Sequence, residues 1–209
     1  MKSKIGSLCM LLGAALILGA LTLFIMNQRA SRDAELFAEE MLPVIVEEIP
    51  QVSQWTSTGE SDSQDSVDAS NELPDSEFQT MEEVIIDGNG YIGYIIIPDL
   101  DLELPVMSNW DMKKLKISPC RYAGSLVSND LVIMAHNYKS HFGKLSQLSE
   151  GSEVCLTDMN GRAWKYRVVV IDILSADAIE EMVAGDYDLT LFTCASNRSS
   201  RVTVRCNKE

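Results

Sequence analysis

The chain reads as a mainly β domain, a closed barrel or a sandwich, set behind an apolar helix and an acidic spacer. Three observations predict this. From about residue 84 onward, short β-rich runs alternate with turn residues, roughly seven or eight runs in ~125 residues with little helical periodicity. Residues 5–26 contain no charged side chain and are dominated by Leu, Ile, Ala, Gly, Phe and Met. Residues 56–76 are rich in Ser, Asp, Glu, Asn and Thr with almost no large apolar side chain. A length of 209 residues leaves room for one ordinary domain plus these extras.

The apolar run comes first. A helix rises ~1.5 Å per residue, so roughly 20 apolar residues span a hydrocarbon core of ~30 Å. A secretory signal carries an apolar region of only ~7–15 residues before a small-residue cleavage site. Here the run is longer and exits into Asn27-Gln28-Arg29, which predicts an uncleaved transmembrane anchor at residues 5–26 after a cytoplasmic stub at residues 1–4. Lys2 and Lys4 before the run nearly balance Arg29 and Arg32 after it. The stretch from Asp33 to Met112 holds no Lys or Arg, which places no positive barrier to export. The amino terminus is therefore expected inside the cell and the rest outside.

Residues 27–83 are read as stalk and linker. Residues 31–48 have helical character, with Leu36, Phe37, Met41 and Leu42 at three-to-four spacing before Pro43, and read as a stalk helix continuing the anchor. Residues 56–76 cannot bury enough surface to offset their ordering entropy and are expected to form a flexible acidic tether.

Residues 84–209 form the expected barrel. Residues 91–97 read as a strand that stops at Pro98-Asp99, and residues 102–106 alternate as a half-buried strand does. Residues 131–135 are a short apolar run, typical of a buried strand, followed directly by His136. Residues 154–157 and 163–173 flank Asn160-Gly161, whose positive backbone angles suit a tight hairpin. Residues 177–183 suit a short helix, and residues 189–193 and 201–206 are two last strands.

The net charge of −14 belongs mostly to the spacer. Residues 1–83 set four basic against fifteen acidic side chains, a net −11, and residues 84–209 set thirteen against sixteen, a net −3. Neither part has the basic surface that nucleic acid requires. The five cysteines (Cys9, Cys120, Cys155, Cys194 and Cys206) form no CxxC pair, and the two histidines do not stand at zinc-ligand spacing from them. No metal or cofactor is expected. A Cys155–Cys206 disulfide is compatible with the sequence but nothing in it tests that pairing.

Two chemical features stand out. The strand Leu189-Thr190-Leu191-Phe192-Thr193 delivers Cys194 at its carboxyl end, and residues 131–135 deliver His136 in the same way. A thiol is a good nucleophile as the thiolate, and a neighbouring imidazole or cation favours that charge. Arg201 opens the strand after the Cys194 loop, so a short hairpin returns its guanidinium toward the thiol, where a planar cation holds a carbonyl or a developing oxyanion. Each feature has a plainer reading. A cysteine ending an apolar strand is more often a small core residue, a lone histidine a hydrogen-bonded structural group, and Arg201 an exposed strand arginine. His141 competes with His136 but lies in a polar loop before Phe142; Arg198 and Arg205 compete with Arg201, Arg205 standing about two pleats further along the same face.

The wording of the motif resolves much of this. Thr190-Leu191-Phe192-Thr193-Cys194 resembles the sortase signature Thr-Leu-x-Thr-Cys. Gly93-Tyr94-Ile95-Ile96-Ile97-Pro98 and Leu104-Pro105-Val106 resemble the opening strands of that family, and Leu131 through Asn137 its histidine-bearing strand. Phe142-Gly143-Lys144-Leu145, Leu148 and Gly151 resemble the segment after it, and Arg201-Val202-Thr203-Val204-Arg205 the last strand. The resemblance implies an eight-stranded barrel and a catalytic triad of His136, Cys194 and Arg201, with Thr193 lining the substrate pocket. It implies a membrane-anchored cysteine transpeptidase with an extracellular catalytic domain, cleaving an LPxTG-like signal in secreted proteins. The acyl group would pass through a thioester to a cell-wall amine. Membrane lipid around the helix completes the expected partners. The connection at residues 175–188 is short, whereas class B sortases carry a longer helical insertion there. The end of the chain soon after Cys206 and the lack of an Asp-Pro-aromatic lid motif depart from pilus-type class C, so the subclass is left open, class B- or D-like rather than class C. A hydrolytic cysteine protease and a non-catalytic surface β-domain are the competing readings.

Overall fold

The computed structural model describes residues 2–50, 81–195 and 199–209, with side chains from residue 8 onward. The expected tether at residues 56–76 lies outside the described residues, as does Arg198.

One helix, α1 (Lys2–Glu48), runs through both the apolar segment and the stalk. It is long and apolar enough to cross a membrane, and Leu11, Leu16, Leu23 and Phe24 stand exposed along it. Pro43 lies inside the helix and removes one backbone donor there. The second half is not a free stalk. Ala34, Ala38, Met41, Ile45 and Ile49 recur at three-to-four spacing and are buried against the barrel.

Nine strands follow: β1 (Val84–Ile86), β2 (Asn89–Ile97), β3 (Leu102–Met107), β4 (Cys120–Ala123), β5 (Leu131–Met134), β6 (Glu153–Asp158), β7 (Ala163–Ser175), β8 (Leu189–Cys194) and β9 (Ser200–Lys208). Their order is β1-β2-β3-β4-β5-β8-β9-β7-β6, and β6 returns to pair with β2. Eight strands thus close a barrel, with β1 as a hairpin arm on β2. Ile95, Leu104, Leu131, Ile133, Leu156, Leu191 and Val204 fill the main core.

Closure needs a glycine. At Gly93 the backbone takes φ 137° beside a register shift in β2, and a Cβ there would lie 1.9 Å from the Thr157 carbonyl oxygen of β6. Only a residue without a side chain lets the two closing strands approach.

Two local expectations change. Residues 102–106 do not alternate: in β3 only Glu103 is exposed, because α1 covers the strand's outer face. The β6–β7 hairpin is longer than a two-residue turn. Gly161 has positive φ and Asn160 does not; Asp158 instead organises the loop, its carboxylate accepting from the Asn160 and Arg162 backbone N–H and from Trp164 Nε1. The predicted helix near residue 180 is the single turn α2 (Ile179–Met182).

Candidate active site

The barrel brings the cysteine and histidine together through one strand pairing. β5 and β8 run parallel, with Met134 opposite Phe192. His136 and Cys194 each follow two residues later, so both emerge at the carboxyl ends of adjacent strands. Two further bonds hold that register: the Ala135 N–H donates to the Phe192 carbonyl at 3.2 Å, and the Thr193 hydroxyl donates to the Ala135 carbonyl at 2.8 Å. Antiparallel pairing of β8 with β9 sets Arg201 directly opposite Cys194. Directly opposed residues have Cβ atoms ~4.5–5.5 Å apart on one face of the sheet.

All three side chains, with Thr193, line one cavity of about 320 Å³. Its remaining walls are largely apolar. Trp110 stacks on Tyr122 at 5.7 Å between ring centroids, and Tyr122 meets Phe192 edge-on at 5.2 Å. Ile179 and Met182 of α2 add to the apolar lining, with Met182 in the same cluster as Phe192. Cys194 is half-buried and lines this cavity, unlike the buried Cys120 and Cys206.

The other thiols differ. Cys120 and Cys206 are fully buried, and burial pushes both up to about 12; burial also raises Cys155. Cys155 and Cys206 are free thiols, so the considered disulfide is absent from this structure.

His136 is held below the usual imidazole range, first by burial and then by the Lys116 cation, so its neutral form is favoured. Its ring stacks on Tyr138 with centroids 4.8 Å apart, and its Nε2 has no hydrogen-bond partner among the described residues. His141 does not line the cavity. It is fully buried behind Tyr138, 5.6 Å between centroids, and burial pushes its pKa down to about 4.

Arg205 is likewise separated from the thiol. It is buried opposite Thr190 and donates to the carbonyls of Met182 at 3.1 Å and Glu181 at 2.6 Å, and to the Thr190 hydroxyl at 3.0 Å. Both threonines of the Thr-Leu-Phe-Thr-Cys run therefore have structural partners. Thr193 ties the cysteine strand to the histidine strand, and Thr190 joins an arginine that fixes the α2 wall.

Sequence reasoning missed Trp110, Tyr122, Tyr138 and Met182 as parts of the site. Tyr138, two residues after His136, had a positional signal; the others reach the cavity from remote segments and had none.

A sortase-domain family model matches residues 95–209. Among curated proteins, none matches the chain in sequence. Solved structures do. Sortase A from Corynebacterium diphtheriae is 24% identical with a TM-score of 0.53, over 58% of this chain and 61% of that one. Sortase C1 from Streptococcus agalactiae is 24% identical with a TM-score of 0.53, over 60% and 70%. A Clostridium perfringens sortase C, solved with the C-terminal cell wall sorting motif, is 25% identical with a TM-score of 0.52, over 68% and 78%. The likeness extends to A and C enzymes alike, so it gives no ground for setting class C aside.

Proposed function

Because this chain belongs to the sortase family, we propose that it is a membrane-anchored cysteine transpeptidase acting on an LPxTG-like sorting signal in secreted proteins. His136 takes the thiol proton as Cys194 attacks the scissile carbonyl after the threonine of the signal, forming a carbon–sulfur bond and a tetrahedral oxyanion. Arg201, opposite it across β8–β9, stabilises that oxyanion or holds the substrate backbone. His136 gives a proton to the departing amine as the thioester forms, then takes one from the incoming cell-wall amine as the new amide replaces the thioester. Thr193 shapes the pocket floor. The apolar walls suit an extended peptide with an aliphatic anchor.

The observation that carries this reading is the convergence of His136, Cys194 and Arg201 on one cavity, delivered by three adjacent strands. The sorting motif present with the Clostridium perfringens relative supports the substrate class. The apolar, exposed first half of α1 supports the membrane anchor, and the Lys- and Arg-free stretch from Asp33 to Met112 supports a catalytic domain outside the cell.

The test is mass spectrometry of the full chain in detergent with an LPxTG-type peptide and a glycine-based or lysine-like amine. A thioester on Cys194 and an amide product are expected, and Cys194→Ala abolishes both. A free carboxylate product that ignores added amine would establish the hydrolytic protease instead.

A further inference from the structure

A second cleft, of about 860 Å³, lies between α1 and the barrel and does not include the catalytic residues. Its position along the helix is informative. The apolar run ends at Met26, and Ser31 stands five residues further, about 7.5 Å along the axis. At that height the barrel is fastened to the helix. The Ser140 hydroxyl donates to the Ser31 carbonyl at 2.8 Å, and the two hydroxyl oxygens lie 3.2 Å apart. Ser140 belongs to the loop that follows His136.

The cleft gathers Arg29 and Arg32 from the helix and Lys139 and Lys144 from the barrel. No carboxylate occurs in the sequence before Asp33, so the membrane-proximal end of the helical wall is purely cationic. Glu35 and Glu39 line the same cleft one and two turns further from Met26, and Asp101 and Glu103 line its barrel side. A headgroup layer is ~5–7 Å thick on each side of the hydrocarbon core. If residues 5–26 cross the bilayer, the Arg29 backbone stands ~4.5 Å past the hydrocarbon edge, inside that layer, and Arg32 and the Ser31–Ser140 contact beside Lys139 stand at ~7.5–9 Å, at its outer edge, from which long cationic side chains reach back to the phosphates. Juxtamembrane Lys and Arg at that depth are attracted to anionic lipids.

We propose that Arg29, Arg32 and Lys139, with Lys144, whose Nζ also donates to the Leu100 carbonyl at 3.3 Å, bind anionic phospholipid headgroups and hold the loop after His136 against the bilayer surface. This rests on the membrane-anchor reading above. It adds a lipid site built partly from the barrel, on the loop that connects directly to the candidate active site.

The full chain is reconstituted in vesicles of phosphatidylcholine, with and without phosphatidylglycerol, and backbone hydrogen exchange is followed at residues 136–144. Exchange slows several-fold in the anionic vesicles. The difference disappears in Lys139→Glu/Lys144→Glu and in Arg29→Gln/Arg32→Gln, and inorganic phosphate added to phosphatidylcholine vesicles does not reproduce it. Equal exchange in both vesicle types, or a difference that survives both pairs of substitutions, overturns the proposal. So does an equal effect of free phosphate. Alkaline extraction of the same vesicles separates the two readings. A chain that washes off refutes the anchor and the lipid site together, whereas a retained chain with unchanged exchange refutes the lipid site alone. Peptide cleavage by each variant in detergent verifies that the barrel is folded.

Discussion

His136 and His141 flank Tyr138, and burial favours the neutral form of both. For His141 the consequence is in stability. Its folded pKa of about 4 lies below the ordinary value near 6.5, so the unfolded chain binds the proton more readily. Its stability contribution is complete above about pH 6.5 and is lost as pH falls toward 4, on the order of 3 kcal/mol over that window. His136 adds to the loss with the same sign. In His141→Phe, urea midpoints measured across pH 4–6.5 should vary much less than in the parent chain. For His136 the consequence is in rate. The Lys116 cation helps depress its pKa, so Lys116→Gln raises it and moves the acid limb of kcat/KM to higher pH. An acid limb that stays in place, or moves down, would remove His136 from the titration that controls the reaction.

At the scale of elements, the two closing strands meet at Gly93. Gly93→Ala forces a methyl group toward the Thr157 carbonyl in a backbone region that alanine avoids, and should destabilise by about 3 kcal/mol or more. Tryptophan fluorescence during urea unfolding measures it; a loss below ~1 kcal/mol would mean that β2 and β6 can part without harm. Much of the barrel was legible because strand length and turn residues are local signals. The runs that became β2, β5, β8 and β9 were bounded by Pro98, by His136 and by the polar loop after Cys194. β4 and β1 were not anticipated. β4 is four residues held by a single parallel bridge to β3 and a short antiparallel pairing with β5, and its pattern fits no period. The β1–β2 turn did carry a signal, since Asp87-Gly88 both take positive φ, as a tight hairpin requires. Within the site, the cysteine and histidine stood out because each ends an apolar run. The aromatic wall did not, because Trp110 and Tyr122 become neighbours only when β4 is laid parallel to β3 through the Met107–Cys120 bridge.

For the whole molecule, the seating of α1 changes what each part of the chain can do. Ile45 and Ile49 pack in the same apolar cluster as Val84 and Ile86, so the chain leaves the helix and enters the barrel at one place. Residues 51–80 therefore connect two points that other contacts already hold together. Loop closure depends only weakly on length, so deleting residues 56–76 should change stability by only about 1 kcal/mol. Thermal unfolding and peptide turnover of the deletion variant, both in detergent, check this; a collapse of either would show that the segment has partners of its own. Where residues 5–26 cross a bilayer, the altitude of the cavity is then written in helical turns rather than in linker length. Each residue inserted between 27 and 30 lifts the barrel by ~1.5 Å and swings it ~100° about the membrane normal. A lone span has no preferred azimuth, so the swing is neutral and the lift is what remains. In the proposed anchoring the helix acts as a ruler that sets how far above the bilayer the thiol stands.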